Sequence, residues 1–259
     1  MSEVEWRKLR ADQLRAAAKQ DAIVILPVGS IEQHGPHLPV EVDSMLGEQV
    51  ALRTARKLVK AGHPALVLPN LWTGVSEHHM SFGGTITLDL PTFCAVLEQI
   101  VKSVLRHGFK RVVLLNGHGG NENLMRSVTD ELTPKYRAPI VEFTYWYAAA
   151  EAIGAILETQ GNVLHACEAE TAMMMAVRPE LVAEARIPLA KSNQAPDMPP
   201  GIYRWRTLGA VSSSGVVGNP EAASAEKGQR LLEAISDTIA AKLGDEGMWA
   251  LPWDHETVT

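Results

Sequence analysis

Short apolar runs alternate along the chain with longer stretches whose apolar residues recur at helical spacing. The apolar runs span residues 22–28, 65–69, 111–115 and 138–145, and most of them are rich in β-branched residues. Runs of this length without alternating polar positions are typical of strands that are covered on both faces. The alternation of such strands with helices predicts an α/β protein with a parallel sheet.

The intervening stretches predict helices with recognisable start and stop signals. Asp89-Leu90-Pro91 begins one helix and Gly108 ends it, and Asp43-Ser44 can cap another. A short edge strand is expected at 85–88, and a long excursion rich in Pro, Ser and Asn, suited to a lid or a subunit contact, at 188–211. No repeat or composition shift divides the chain, so we expect one domain over residues 1–259. The expected helices are 5–19, 43–60, 89–107, 122–132, 148–158, one opening near 168, and 221–243.

The loop after the first apolar run is crowded with ionisable side chains. Within a dozen residues come Glu32, His34, His37, Glu41 and Asp43, held among glycine and proline. A rigid loop at the end of a buried strand is the usual position of a site in an α/β protein. Oxygen and imidazole donors together suit zinc, manganese, iron or cobalt better than calcium. The alternatives are a solvated surface loop and, for Asp43, a helix cap, although a cap and a ligand are compatible.

Two further loops carry histidines among glycines. His118 stands in Asn-Gly-His-Gly-Gly-Asn at 116–121, between a strand and a helix, where close approach of the loop to a ligand explains the glycines. A tight turn with a solvated histidine is the alternative. His78 and His79 are adjacent, so on an extended chain they point to opposite sides. At most one of them should therefore face a common site, and we assign His78 to the surface.

A fourth candidate segment opens the helix near residue 168. His165 and Glu170 are five residues apart, so a bend at the helix start can turn both side chains to one pocket. Glu168 and Glu170 differ by about 200° around a helix, so only one of them should face inward. The alternative for either glutamate is a partner of the helix dipole. Trp146 lies just past the fourth strand, on the same rim if the strands are parallel.

Composition narrows the classes of protein that remain. The chain has 259 residues, 46% of them hydrophobic, which is enough for a sizeable core. The net charge of −6 and the lack of a basic stripe argue against a nucleic-acid partner. Two cysteines are too few for a disulfide framework. With a polar start and no membrane-length apolar run, we expect a cytoplasmic protein without a membrane partner.

Taken together, these segments resemble the creatininase (creatinine amidohydrolase) family over nearly the whole chain. Residues 29–39, 116–121 and 165–171 resemble its three main signatures, and residues 83–86 and 218–220 resemble two shorter ones. The resemblance implies a three-layer α/β/α sandwich with a mainly parallel central sheet. It also implies two divalent metal ions per chain, zinc first and manganese or iron as alternatives, and assembly as a homohexamer.

The resemblance also implies roles for individual residues. Glu32 and His118 would bind one metal ion and His34 the other, with Asp43 bridging them. Creatininase has a metal-binding glutamate where this chain has Gly120, so Glu170 would complete the second site instead. Glu170 and His165 would be the catalytic residues that receive and deliver the proton. Substrate contacts would come from His79, Gly119, Gly120 and Trp146.

The implied activity is hydrolysis of a carbon–nitrogen bond in a small molecule by a metal-activated water. The bond would be an amide, a lactam or a formamide. Creatininase has a tryptophan on a flap over creatinine where this chain has Gly161. The resemblance therefore implies the hydrolytic chemistry more strongly than it implies creatinine as the substrate. Two alternatives stay open: a metal-dependent ring-opening or isomerising enzyme on the same scaffold, and a non-catalytic phosphate- or nucleotide-binding module that uses the 116–121 loop.

Overall fold

A computed structural model describes residues 3–191, 199, 201–251 and 253. Its centre is a parallel sheet with the strand order β2-β1-β3-β4. The apolar runs form all four strands, although each observed strand is somewhat shorter or shifted at its ends. The strands are β1 (Ile23–Val28), β2 (Ala65–Val67), β3 (Arg111–Asn116) and β4 (Ile140–Thr144).

The α-helices of the described residues follow the strands in alternation. Short 3₁₀ turns, including Trp6–Lys8 and Glu77–Phe82, connect several of them. The helices are α1 (Ala11–Ala18), α2 (Val42–Lys60), α3 (Leu90–Arg106), α4 (Glu122–Tyr136), α5 (Tyr145–Ala148), α6 (Ala150–Gly154), α7 (Glu168–Val177) and α8 (Ala225–Leu243).

Helices cover both faces of the sheet, which explains why its strands are apolar without alternation. Along β1, Ile23 and Ile25 pack into a core shared with α2, α7 and α8, while Val24 and Leu26 pack into a second core with α1, α3 and α4. Successive side chains of a strand point to opposite faces, so each face must be apolar to be buried. The expected three-layer α/β/α sandwich is confirmed.

The chain changes direction across the sheet between β1 and β3. From β1 it crosses by α2 to β2 at one edge, and α3 then brings it back to β3 on the other side of β1. In α/β sheets, ligands bind in the crevice beyond the carboxyl ends of strands at such a switch point. The two strands end level, with Val28 paired to Asn116, so the loops that follow them enter the crevice side by side.

A glycine lets the start of α2 approach this crevice closely. A Cβ atom at Gly117 would lie 2.8 Å from the carbonyl oxygen of Asp43, and the Gly117 amide donates to the Val28 carbonyl at 2.8 Å. Only a residue without a side chain fits between them. The first turn of α2 therefore lies against the end of β3, which brings Asp43 between the two loops.

Several element boundaries differ from the sequence expectations. The helix expected at 5–19 is broken by extended backbone at Arg10, and the one expected at 148–158 becomes α5 and α6. Ser224 caps α8, whose start is therefore later than expected. Residues 85–88 make only single bridges, one from Ile86 to Ile31 and one from Thr87 to Gly74. Helix α4 continues past 132 to Tyr136.

The structure bears in part on two other expectations, the excursion at 188–211 and the lack of a membrane-spanning segment. Residues 192–198 and 200 of the excursion at 188–211 lie outside the described residues, while Leu208 at its far end is buried. Among the residues that the structure describes, no helix is both long and apolar enough to cross a membrane.

Candidate metal centre

The candidate residues converge on one cavity of about 280 Å³ at the carboxyl ends of β1, β3 and β4. Of the residues expected to bind metal, His34 does not line it; its side chain is fully buried, and its Nε2 lies 3.1 Å from Asp43 Oδ1. Apolar side chains form the rest of the wall. The lining residues are Glu32, Asp43, His78, His79, Gly117, His118, Gly119, Gly120, Trp146, Val163, Leu164, His165, Glu170, Leu208 and Val217.

Asp43 occupies the middle of the cluster of donors. It belongs to the first turn of α2 rather than to its cap, since the cap position is Glu41 and the helix begins at Val42. The expectation that Asp43 caps this helix is therefore wrong. Its Oδ1 lies 3.1 Å from His34 Nε2, and its Oδ2 lies 3.0 Å from His118 Nδ1. One carboxylate thus faces two imidazoles from different loops.

The hydrogen bond of His34 fixes which of its nitrogens is free. Nδ1–H donates to the backbone carbonyl of Glu32 at 3.1 Å, so in the neutral ring Nε2 carries the lone pair. That Nε2 points at the carboxylates of Asp43 and Glu170, at 3.1 and 3.8 Å. One donor atom each from His34, Asp43 and Glu170 lies within 4.8 Å of the others, a spacing that can hold a metal ion.

His118 is oriented in the opposite sense. Its Nε2–H donates to the Val75 carbonyl at 3.1 Å, next to the Ser76 hydroxyl, which in the neutral ring leaves Nδ1 with the lone pair. Nδ1 lies 3.0 Å from Glu32 Oε2 and 3.0 Å from Asp43 Oδ2. Ligating histidines usually have the other ring nitrogen held in this way by a carbonyl or carboxylate. His118 can therefore hold a second ion with Glu32 and Asp43.

The ionisable groups of the cluster favour a bound cation. Burial disfavours charge on both histidines, yet the neighbouring carboxylates raise the pKa of His118 to about 10 and that of His34 well above its usual value. Burial likewise raises the pKa of Glu32 and Glu170. His34 Nε2 and Asp43 Oδ2 are buried without a well-formed hydrogen bond. Divalent cations between these lone pairs fit the donor set, because oxygen and imidazole ligands suit zinc, manganese or iron.

The bend expected before α7 brings His165 and Glu170 into the cavity. Ala166 between them has a left-handed backbone with φ of +51°, and its amide donates to Glu170 Oε2 at 2.5 Å. A non-glycine residue in this conformation is sparsely populated and is often found at functional sites. The bend thus aims Glu170 at His34 and turns the His165 ring towards Glu32.

His165 is held by the backbone of the first loop. Its Nε2–H donates to the Gln33 carbonyl at 2.9 Å, while Nδ1 lies 3.5 Å from Glu32 Oε1. Burial, together with the nearby His34, lowers the pKa of His165 well below its usual value. The ring is therefore neutral and has a free lone pair on the side of the cavity.

His79 is linked to the cluster through Gln33. The Gln33 amide donates to His79 Nδ1 at 3.2 Å and to the Gly215 carbonyl at 3.1 Å. His79 Nε2 must then carry the proton, and it faces Glu32 Oε1 at 3.3 Å. Burial lowers the pKa of His79 far below its usual value, so the ring stays neutral. His79 therefore both lines the cavity and orients Glu32.

The assignment of His78 to the surface is wrong. Both His78 and His79 line the cavity, because Glu77–Phe82 is a 3₁₀ turn and not the extended chain on which adjacent side chains oppose each other. One donor atom each from His78, Glu32 and His118 also lies within 4.8 Å of the others. Burial lowers the pKa of His78 to about 4. In the sequence, the one indication that His78 could belong to the site was its position next to His79.

The remaining ionisable residues of the sequence motifs lie apart from the donors. Glu168 does face away from the cavity, but it is fully buried and accepts hydrogen bonds from Glu158, Thr159 and Lys227. His37 Nε2 contacts the Thr171 hydroxyl at 2.8 Å, and Glu41 is exposed. Gly161 does not line the cavity, and a Cβ atom there would meet open space.

Comparison with known proteins gives consistent matches over most of the chain. A family profile described as creatinine amidohydrolase matches residues 7–243. The mycofactocin precursor peptide peptidase of Mycobacterium ulcerans (strain Agy99) is 30% identical over 234 residues, 87% of this chain and 88% of that protein. Creatinine amidohydrolase of Pseudomonas putida is 29% identical, over 95% and 96% of the two chains. A solved structure of creatininase with Mn superposes with a TM-score of 0.78 at 27% identity, covering 93% and 97% of the chains.

Proposed function

Because the chain belongs to the creatinine amidohydrolase (creatininase) family, we propose that it hydrolyses a carbon–nitrogen bond of a small molecule at a dinuclear metal centre. The bond is an amide, a lactam or a formamide. The observation that carries this proposal is Asp43, whose two carboxylate oxygens face His34 and His118 at 3.1 and 3.0 Å. A carboxylate between two imidazoles of opposite orientation is suited to bridge two ions.

The ligands divide into two sets that share Asp43. Glu32 and His118 bind the first ion, and His34 and Glu170 bind the second. Glu170 serves in place of a side chain at Gly120. We propose zinc at both positions, with manganese or iron as alternatives, because carboxylate and imidazole donors suit these metals and solved creatininase structures include both a Zn-Zn form and a Mn form. Two bound divalent ions supply a water acidified towards neutral pH and polarise the carbonyl of the substrate.

Glu170 and His165 handle the proton in this proposal. Burial raises the pKa of the Glu170 carboxyl above its usual value, the direction that favours uptake of a proton. The neutral His165 ring presents Nδ1 beside Glu32, while its Nε2–H is held by Gln33. Glu170 takes the proton that the attacking water loses, and His165 passes this proton from Nδ1 to the leaving nitrogen. The products are an opened lactam, a released amine or a released acyl group.

The walls of the cavity determine what binds there. Val163, Leu164, Leu208 and Val217 surround the polar cluster, and Trp146 adds an aromatic face. Gly119 and Gly120 leave backbone groups free to approach a substrate. A volume of about 280 Å³ suits a small substrate with an apolar substituent beside its amide. We propose that His79, Trp146, Gly119 and Gly120 contact it.

Three broader features belong to the same proposal. One domain spans residues 1–259, it assembles as a homohexamer like other family members, and it works in the cytoplasm. The family match over residues 7–243 supports the first. The hexamer is supported by the family resemblance, and the cytoplasmic location by the lack of a disulfide framework in a chain with two cysteines.

Product analysis in H₂¹⁸O tests the proposed reaction. The metal-stripped protein is reloaded with Zn²⁺, Mn²⁺ or Fe²⁺ and assayed against a panel of small lactams, formamides and N-acyl amines. We expect one ¹⁸O atom in the carboxylate product and loss of turnover on metal removal. Turnover without ¹⁸O incorporation would instead indicate ring opening or isomerisation, and phosphate or nucleotide binding without turnover of any substrate would indicate a binding module.

A further inference from the structure

His78 is a cavity-lining imidazole for which the proposed chemistry has no role. Its ring stacks on His118 with centroids 5.6 Å apart and planes 18° from parallel, and meets the edge of His79 at 4.2 Å. Within the described part of the chain, neither of its ring nitrogens has a hydrogen-bond partner. An imidazole so placed has a lone pair available to a ligand.

The donors nearest to His78 are those of the first ion. One donor atom each from Glu32, His78 and His118 falls within 4.8 Å of the others. Because His118 Nε2–H is bound to the Val75 carbonyl, its Nδ1 faces Glu32 Oε2 at 3.0 Å. Two imidazoles and one carboxylate form a donor set that zinc commonly takes in catalytic sites.

The backbone at Gly120 makes room for this arrangement. A Cβ atom there would lie 2.9 Å from His78 Cε1, 2.4 Å from His118 Nε2 and 2.2 Å from the Val75 carbonyl oxygen. Any side chain at this position would therefore displace one or both rings. Both imidazoles can stand side by side only because residue 120 has no side chain.

We infer that His78 is an additional ligand of the ion bound by Glu32, His118 and Asp43. This inference rests on the proposed dinuclear centre and adds to it. With His78 the first ion has two imidazoles and two carboxylates, whereas the second ion has one imidazole from His34 with the carboxylates of Asp43 and Glu170. The two positions therefore differ in donor type, and the first is the softer and tighter site for zinc.

Metal titration of His78 variants tests this assignment without an activity assay. Apo wild type, His78→Ala and His78→Gln are titrated with Zn²⁺ against a chromophoric chelator, and with Co²⁺ while the visible d–d spectrum is recorded. His107→Ala removes an exposed histidine of α3's C-terminal end and is the matched control. Circular dichroism melting shows that each variant is folded.

We expect His78→Ala and His78→Gln to bind one of the two Zn²⁺ ions at least about 10-fold more weakly, with a changed Co²⁺ spectrum, while the other ion is unaffected. His107→Ala should match wild type. If wild type binds two ions and both His78 variants keep its affinities and spectrum, the inference is overturned and the proposed centre stands. If wild type itself binds no metal ion, the proposed function fails, and the inference fails with it.

Discussion

Asp43 and His118 lie 3.0 Å apart between Oδ2 and Nδ1, while the other oxygen of the same carboxylate lies 3.1 Å from His34. These contacts join side chains from the loop after β1, the start of α2 and the loop after β3. Hydrogen bonds to backbone carbonyls turn the lone pair of each histidine towards Asp43. The arrangement is preorganised for cations.

Single substitutions of His34 and His118 test the contribution of each ring. We expect His34→Ala and His118→Ala each to lose about one metal ion per chain and to lower kcat at least about 100-fold, because each ring supplies a donor that no neighbour replaces. Elemental analysis and steady-state kinetics measure the two effects. His107→Ala, at an exposed position, should change neither. Full metal content and rate in both site variants would refute the assignment.

Glu170 and Glu168 form a matched pair within one turn of α7. Glu170→Gln keeps the size of the side chain and removes its charge beside His34, so we expect loss of about one ion per chain and a fall in kcat of at least about 100-fold. Glu168→Gln should leave the metal content near wild type, because Glu168 contacts Lys227 and not the donors. The reverse pattern would show that the wrong glutamate has been assigned.

Glu168 has a structural role that predicts a pH-dependent stability. Burial would raise its pKa, but hydrogen bonds from Lys227 and Thr159 outweigh burial and lower it below the usual 4.5. A lowered carboxyl pKa stabilises the fold above the unfolded-state value, and this stability is lost as the pH falls through the folded-state value. We expect Glu168→Gln to cost about 3 kcal/mol at pH 7 and progressively less below about pH 4.5.

Chemical denaturation of wild type and Glu168→Gln at several pH values measures this difference. Glu180→Gln is the control, since Glu180 is exposed and forms an ion pair with Arg178. Its effect at pH 7 should lie within the error of the measurement, because an exposed ion pair is screened by solvent and contributes little. A Glu168→Gln cost that is constant from pH 7 to pH 3 would exclude the ion pair with Lys227 as its source.

Creatinine should be a poor substrate. The family resemblance implies that Gly161 replaces a flap tryptophan of creatininase, and Gly161 neither lines the cavity nor offers a side chain to it. We therefore expect kcat/KM for creatinine below about 10⁴ M⁻¹s⁻¹ with the fully metal-loaded protein. A steady-state assay with creatinine gives the value directly, and a higher one would show that the cavity closes over creatinine without this aromatic residue.

His165 should affect the catalytic rate and not the binding of the metal ions. Its ring lies 3.5 Å from Glu32 and is anchored to Gln33, outside the two proposed ligand sets. We expect His165→Gln to lower kcat by about 100-fold or more while both ions stay bound. A variant that loses an ion instead would make His165 a ligand, as its proximity to Glu32 and His34 allows.

The sequence was sufficient to predict the sheet and most of the cluster. The strands around Ile25 and Val113 are apolar on both faces, a pattern that a parallel sheet between helix layers requires. Glu32, His34 and His118 follow two of these strands, and parallel strands bring their carboxyl ends to one edge. Local pattern and topology therefore agree on where the donors meet.

Other features depend on contacts that local patterns do not specify. His78 was assigned to the surface because its segment was expected to be extended, whereas a 3₁₀ turn brings it to the cavity. Glu168 is buried because Lys227, from a helix near the end of the chain, supplies its partner. The left-handed backbone at Ala166 was not expected either, since alanine does not favour it; the preceding residue, His165, is bridged to Val217 far along the chain.

The metal content of Asp43→Asn tests the dinuclear centre most directly. Asparagine keeps the shape of the side chain but replaces the charged oxygens that face His34 and His118. If Asp43 bridges two ions, wild type should contain about two divalent ions per chain and Asp43→Asn well under one, because both sites lose a ligand together. Two ions per chain in folded Asp43→Asn, or none in wild type, would contradict the account.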